Sequence, residues 1–140
     1  MRTAVLLILS CISTFAQNTK WSATLKLEVT AKDDDSRDAI TSYISRELRR
    51  LGDIVIGETG TQFRLHIVAI HIDVGSTSQR LGYAISSVLM LEPPSGQNML
   101  LGHRLALATT PTANALEETC KELVAGYDAN VFESFRKEGK

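Results

Sequence analysis

The pattern of apolar and polar positions predicts a strand followed by a helix at the start of the folded part of the chain. Apolar and polar residues alternate over residues 24–31, as in a strand with one buried face. After an acidic run at 33–35, apolar residues recur at helical spacing over 39–51, and Gly52 closes the helix. The candidate N-terminal caps of this helix are Asp34, Asp35 and Ser36.

The rest of the chain predicts four more strands and a final helix. The strands span 53–56, 61–74, 81–91 and 99–109, with loops between the later ones that suit antiparallel hairpins. An apolar helical stripe covers 116–135, and Thr112 or Asn114 caps it. Each helix has one apolar stripe, so both are expected to cover the same face of the sheet. The predicted fold is therefore an α+β two-layer sandwich, with a mainly antiparallel sheet of about five strands and the element order β-α-β-β-β-β-α.

The sheet face away from the helices is the candidate binding surface. Strand parity places polar and charged residues on it, mixed with Val68 and Ile70, and places Tyr83 under the helices. In the last strand, we expect Leu105 and Leu107 to face the helices, and Arg104 therefore to face outward. A half-polar, half-apolar face is typical either of a protein contact or of an ordinary solvated surface. The candidate binding residues are Lys26, Glu28, Arg64, His66 and Arg104.

The N-terminus predicts export. Residues 1–16 combine one cation, a short apolar run and a terminal Ala16, which is the pattern of a secretory signal. The apolar run is too short to span a membrane, and the alternative is a buried N-terminal helix. The mature chain is then a single domain over 17–140, without a transmembrane segment, and periplasmic or secreted. A weaker pattern around Cys11 suggests lipidation there, which would make an outer-membrane lipoprotein.

Composition and charge narrow the partners. Hydrophobic residues make up 44% of the chain and charged residues 22%, as in globular proteins. The formal net charge is -1, so there is no electrostatic reason to expect nucleic acid as a partner. Loss of residues 1–16 leaves Cys120 as the one cysteine, which excludes an internal disulfide.

Chemistry-bearing residues are few and do not form a known catalytic motif. His66 and His71 point to opposite faces of one strand, whereas His71 and His103 share the helix-covered face by parity. The acidic run 33–35 lacks the spacing of a calcium loop and serves as a cap. Cys120 lies on an apolar stripe and is read as a core residue. We therefore expect no catalytic residue, metal ligand or cofactor.

One stretch resembles small domains of the bacterial envelope. The helix ending in RELRRLGDIVI is followed, after a turn, by TQFRLHIVAIHI. This looks like the periplasmic domain of the curli-secretion lipoprotein, the lipoprotein activators of penicillin-binding proteins and the N-terminal domain of the Tol propeller protein. The resemblance covers about a third of the mature chain and consists of hydrophobic patterns. It implies an accessory role by interaction and transfers no functional residue.

Three functions fit the sequence. The first is a non-enzymatic binding or assembly protein of the envelope, which uses the open face to contact an envelope protein or a second copy of itself. The second is a hydrolase or metal-dependent enzyme in which His66 works with Glu28 or Arg104. The third is a small-ligand carrier with a pocket between sheet and helices.

Overall fold

The computed structural model describes residues 20–75 and 79–139. The predicted signal segment 1–16, with Cys11, lies outside these residues, and its export role stays a prediction. The strands are β1 (Ala23–Ala31), β2 (Ile54–Ile56), β3 (Phe63–Val74), β4 (Gln79–Leu91) and β5 (Met99–Ala108). The helices are α1 (Asp34–Arg50), α2 (Ala113–Tyr127) and α3 (Glu133–Glu138), with a π-helical turn, Asp128–Phe132, between the last two.

The five strands form one mixed sheet in the order β2-β1-β3-β4-β5. β1 pairs in parallel with both β2 and β3, and β3–β4 and β4–β5 pair antiparallel. The parallel pairs follow from the position of α1, which returns the chain to the same end of the sheet after β1. The two antiparallel pairings are also the longest, as expected for a mainly antiparallel sheet. The predicted α+β class is confirmed, and the element order matches except that the π-helical turn divides the predicted final helix into α2 and α3.

Helix α1 begins one residue earlier than its predicted caps. The cap is Asp33, whose Oδ1 accepts a hydrogen bond from the Ser36 backbone N–H at 2.8 Å. Asp34 and Asp35 lie in the first turn and two arginines in the last, where both signs of charge interact favourably with the helix dipole. Asp33 is the cap because its extended backbone leaves its carboxylate facing the first free N–H groups of the helix.

The C-terminal helical region closes the core with an aromatic cluster. Of the two predicted caps of α2, Thr112 is the observed one, and its hydroxyl accepts a hydrogen bond from the Ala115 N–H, whereas Asn114 lies inside the helix. The π-helical turn widens the helix after Tyr127, and both Val131 and Phe132 are buried there. Phe132 then meets the ring of Phe63 edge-on, with 5.6 Å between the centroids. This cluster ties the end of the chain to the strand at the centre of the sheet.

One hydrophobic core lies between the helices and one face of the sheet. It includes Leu25, Ile67 and Ile85 from the strands, and Ile44 and Val124 from the helices, all at most 2% exposed. The opposite face of the sheet is not covered by any described helix. This second face is called the open sheet face below.

Candidate functional site

The open sheet face has an ion-paired half and an apolar half. Strand register sets them side by side, because Lys26 lies opposite Arg64 and Glu28 opposite His66 on β1 and β3. Two residues further along β3 the face becomes apolar at Val68. On this face β3 therefore presents charged side chains near its start and hydrocarbon further along, whereas β1 stays polar.

Charges in the ion-paired half are matched within the face. Lys26 Nζ lies 3.0 Å from Glu28 Oε1, and the Arg64 guanidinium lies 2.6 Å from Glu92 Oε1. Thr61 donates a further hydrogen bond to Glu92 at 3.0 Å. The hydrogen bond from Lys26, aided by Arg64, holds the pKa of Glu28 below its usual range. Glu28 is consequently anionic at neutral pH and neutralises Lys26.

The apolar half consists of two rows that cross three strands. In the first row Val68, Ser86 and Leu105 are register partners. In the second row Ile70, Ala84 and Leu107 are register partners. Leu105 is 68% exposed, and Ile70 and Leu107 are each 57% exposed. The exposed members define the apolar patch, namely Val68, Ile70, Leu105 and Leu107.

Four of the five predicted binding residues lie on this face, and the fifth does not. Lys26, Glu28, Arg64 and His66 come together in the ion-paired half. The placement of Arg104 was wrong: it lies on the helix-covered face, where its guanidinium stacks 5.6 Å from the Tyr127 ring centre and donates to the Gly126 carbonyl. Arg104 is therefore directed at α2 and away from the open face.

The error at Arg104 has a packing cause. On the covered side, β5 carries Gly102, Ala106 and Ala108 because α2 packs close against it. A Cβ on Gly102 would lie 3.2 Å from the Tyr127 ring, and one on Gly126 would clash with the Arg104 guanidinium. The small residues thus face the core and the leucines face outward. The run of small residues at alternate positions is the sequence signal that could have identified Leu105 and Leu107 as surface residues.

The histidines do not form a shared site. His66 and His71 lie on opposite faces, as predicted, but His103 lies on the open face, contrary to the parity prediction, with its Nε2 3.0 Å from Ser86 Oγ. In the described part of the chain, His66 has no hydrogen bond to Glu28, and Arg104 is on the far side of the sheet. Of the two predicted partners of His66, Glu28 therefore lies beside it as its register partner without a hydrogen bond, and Arg104 does not lie near it.

A second region, a polar cavity of about 710 Å³, lies where the first turns of α1 and α2 meet the sheet. At its floor, His71 Nε2 lies 2.8 Å from Asp33 Oδ2 and 3.2 Å from Ser36 Oγ. Tyr83, buried under the helices as predicted, meets the His71 ring edge-on and accepts a hydrogen bond from Arg80. Asp33 and Ser36 contact the same ring nitrogen, whereas a catalytic triad uses both nitrogens of the histidine. The cluster is thus a helix cap joined to a buried histidine.

Cys120 is a core residue, as predicted. It is fully buried, and burial raises the pKa of its thiol to about 12. The reactive thiolate is accordingly scarce at neutral pH. Across residues 20–75 and 79–139, no set of three or more His, Cys, Asp and Glu side chains is arranged to hold a metal ion. Within the same ranges, none of the helices has the length and apolar character needed to cross a membrane.

Comparison with known proteins shows what the chain shares with others. No protein-family model matches the chain, and no curated protein matches it. Solved structures do match. The hypothetical protein CT253 from Chlamydia trachomatis aligns with a TM-score of 0.53 at 10% identity, over 79% of this chain and 98% of that one. A PelC dodecamer from Paraburkholderia phytofirmans aligns with a TM-score of 0.53 at 8% identity, over 75% and 87%.

A third structure, lipoprotein GNA1162 from Neisseria meningitidis, aligns with a TM-score of 0.41 at 10% identity, over 76% of this chain and 99% of that one. At such identities the likeness shows the fold alone. The predicted resemblance to small envelope accessory proteins is confirmed at that level.

Proposed function

We propose that this chain is an exported, non-enzymatic binding or assembly accessory protein of the bacterial cell envelope, with the open sheet face as its contact surface. The observation that carries the proposal is the apolar patch, which stays exposed beside a half whose charges are already paired. Exposed contiguous hydrocarbon costs free energy in water, and covering it with a partner recovers that cost. The fold it shares with a protein that forms a dodecamer supports a role in assembly.

A cross-linking pull-down of the tagged, exported protein from its native envelope tests this function. The patch variant Leu107→Asp is compared with Met99→Asp, because both side chains are 57% exposed on β5 and Met99 lies outside the patch. We expect one dominant cross-linked species with the wild type and Met99→Asp, and its loss with Leu107→Asp. Equal recovery from both variants contradicts the choice of face.

The location is tested separately at the mature N-terminus. Export with simple cleavage leaves a chain that begins at Gln17 in the periplasm or medium. Lipidation would instead leave Cys11 as the first residue, with the mass of attached acyl chains. Intact-mass spectrometry of the protein from each cell fraction separates these results, and an uncut chain in the cytoplasm contradicts the envelope role.

A small-ligand carrier is the second candidate, favoured by the polar cavity. Its walls combine the ring of Tyr43, the buried imidazole of His71 and the cation Arg80, so it offers both apolar and polar contacts. A ligand that binds only the folded state raises the melting temperature. Thermal shift screening should then give hits that Tyr43→Ala removes. Hits unaffected by that variant would count against this cavity.

A further inference from the structure

We infer that the occupant of the open sheet face is a second copy of this chain, packed face to face so that two sheets stack between outer layers of helices. This inference rests on the proposed function and names its partner. Its starting point is that the described helices already cover the other side of the sheet as a single layer. Sheets that pack on each other in this way leave about 10 Å between them and interdigitate their apolar side chains.

The charge distribution suits a partner identical to the face itself. Lys26 is neutralised by Glu28, and Arg64 by Glu92, within a single copy. Two such faces meet without the repulsion that opposes self-association of a surface with one excess sign. A different partner recognised by charge would instead leave unmatched ions on the free face.

The size of the face also suits a stable dimer. β1, β3, β4 and β5 contain 9 to 13 residues each. Four strands of about ten residues, spaced about 4.8 Å apart and rising about 3.3 Å per residue, project roughly 600 Å² of sheet. Protruding side chains make the accessible area larger, close to the roughly 800 Å² per partner of standard interfaces. The apolar patch then supplies the dehydrated centre, and the ion pairs lie toward the rim.

Sedimentation equilibrium of the exported protein over a wide concentration range tests the inference. We expect a reversible dimer, weakened at least about tenfold by Leu105→Asp or Leu107→Asp, because each places an unpaired carboxylate in the apolar centre. The matched control Met99→Asp should leave the dimer unchanged. Circular dichroism verifies that each variant is folded.

A second measurement keeps the test independent of variant stability. Ser86 lies between Val68 and Leu105 in the patch, so Ser86→Cys should give a dimer with a short thiol cross-linker. Arg49→Cys, at the exposed end of α1, should stay monomeric. A wild type that is monomeric at every concentration overturns the second copy, even when the pull-down yields a different partner on the same face. A dimer that resists both patch variants, as in pairing through the β5 edge, overturns the face-to-face arrangement.

Discussion

The two faces of the sheet are built from neighbouring residues of the same strands, yet they contribute to different properties. On β3, Ile67 is fully buried against the helices, while Ile70 is 57% exposed three residues later. Both are β-branched residues that suit a strand equally well. The two residues differ because the helices cover Ile67 and leave Ile70 exposed. Residues on the covered face therefore stabilise the fold, and residues on the open face are available to a partner.

The ion pairs of the two faces also differ in how far they are shielded from water. On the covered side, Arg136 pairs with the buried carboxylate of Asp53, and Arg104 stacks on Tyr127. On the open side, Arg64 and Lys26 pair with acids that water still reaches in part. Ion pairs that exclude water are costly to break, whereas exposed pairs contribute little to stability. The comparison therefore predicts large effects of mutation on one face and small ones on the other.

The largest expected effect comes from the two isoleucines of β3. Ile67→Ala should lower the free energy of unfolding by about 2–5 kcal/mol, because it removes buried methyl groups and leaves a cavity. Ile70→Ala should change it by no more than about 0.5 kcal/mol. Urea unfolding of both variants, at a protein concentration low enough for the chain to be monomeric, measures the difference. Similar losses in the two variants would show that Ile70 is covered even in the monomer.

The next largest effect is expected at two arginines. Arg136→Ala should lower the free energy of unfolding by about 3 kcal/mol, because it leaves the Asp53 carboxylate without its bidentate partner. The Asp53 side chain is only 6% exposed. Arg64→Ala on the open face should cost less than about 1 kcal/mol. Denaturant unfolding measures both changes. Adding Asp53→Asn to Arg136→Ala should recover part of the lost stability, because the buried charge is removed. A double variant less stable than Arg136→Ala would show that the unpaired Asp53 carboxylate is not the cause of the loss.

A smaller effect is expected at Tyr127, whose buried hydroxyl bonds to both the carbonyl and the hydroxyl of Ser87, at 3.0 and 2.9 Å. Tyr127→Phe removes these bonds and should lower the free energy of unfolding by about 1–2 kcal/mol, because two buried hydrogen bonds are lost, while the Ser87 hydroxyl retains its longer bond to the Arg104 carbonyl at 3.4 Å. Tyr43→Phe, at a half-buried position of α1, is the matched control and should be near neutral. Thermal unfolding of the pair tests whether the buried hydroxyl matters.

The smallest effect is a pH dependence at the α1 cap. The Ser36 backbone N–H and hydroxyl hold the pKa of Asp33 below its usual range, and His71 and Arg80 add favourable charge. A lowered folded pKa means that this stabilisation is full above about pH 4 and is lost as the pH falls through the folded value. Asp33→Asn caps the helix without titrating there.

The free energy of unfolding, measured from neutral pH to about pH 2.5, is the readout for Asp33. The advantage of the wild type over Asp33→Asn should shrink as acid is added, because only the wild type takes up a proton at this position. A constant difference across that range would mean that Asp33 does not titrate as its contacts indicate.

Much of the fold could be read from local patterns. The alternation in β1, the helical stripes of α1 and α2, and the cap at Thr112 all reflect backbone geometry that acts over a few residues. Lys26, Glu28, Arg64 and His66 were placed on one face correctly, because strand parity carries over between paired strands. Their role as a binding surface stays a proposal.

Parity failed in β5, where both sides of the strand are apolar. The prediction placed Leu105 and Leu107 toward the helices, yet Ala106 and Ala108 are the residues that face the core. The choice depends on how closely α2 approaches, and that distance is a property of the packed molecule. For the same reason, His103 lies on the open face and Arg104 on the covered face, each opposite to its predicted side.

The sequence by itself determined the order and type of the elements, since these follow from the periodicity of short segments. It also determined which segments are amphipathic, and hence that the chain folds in layers. The tertiary structure alone decided that β1 pairs in parallel with two neighbours, that the chain ends in an aromatic cluster, and that leucines of β5 face outward. These outcomes depend on contacts between residues far apart in the chain, whose free energies no local pattern records.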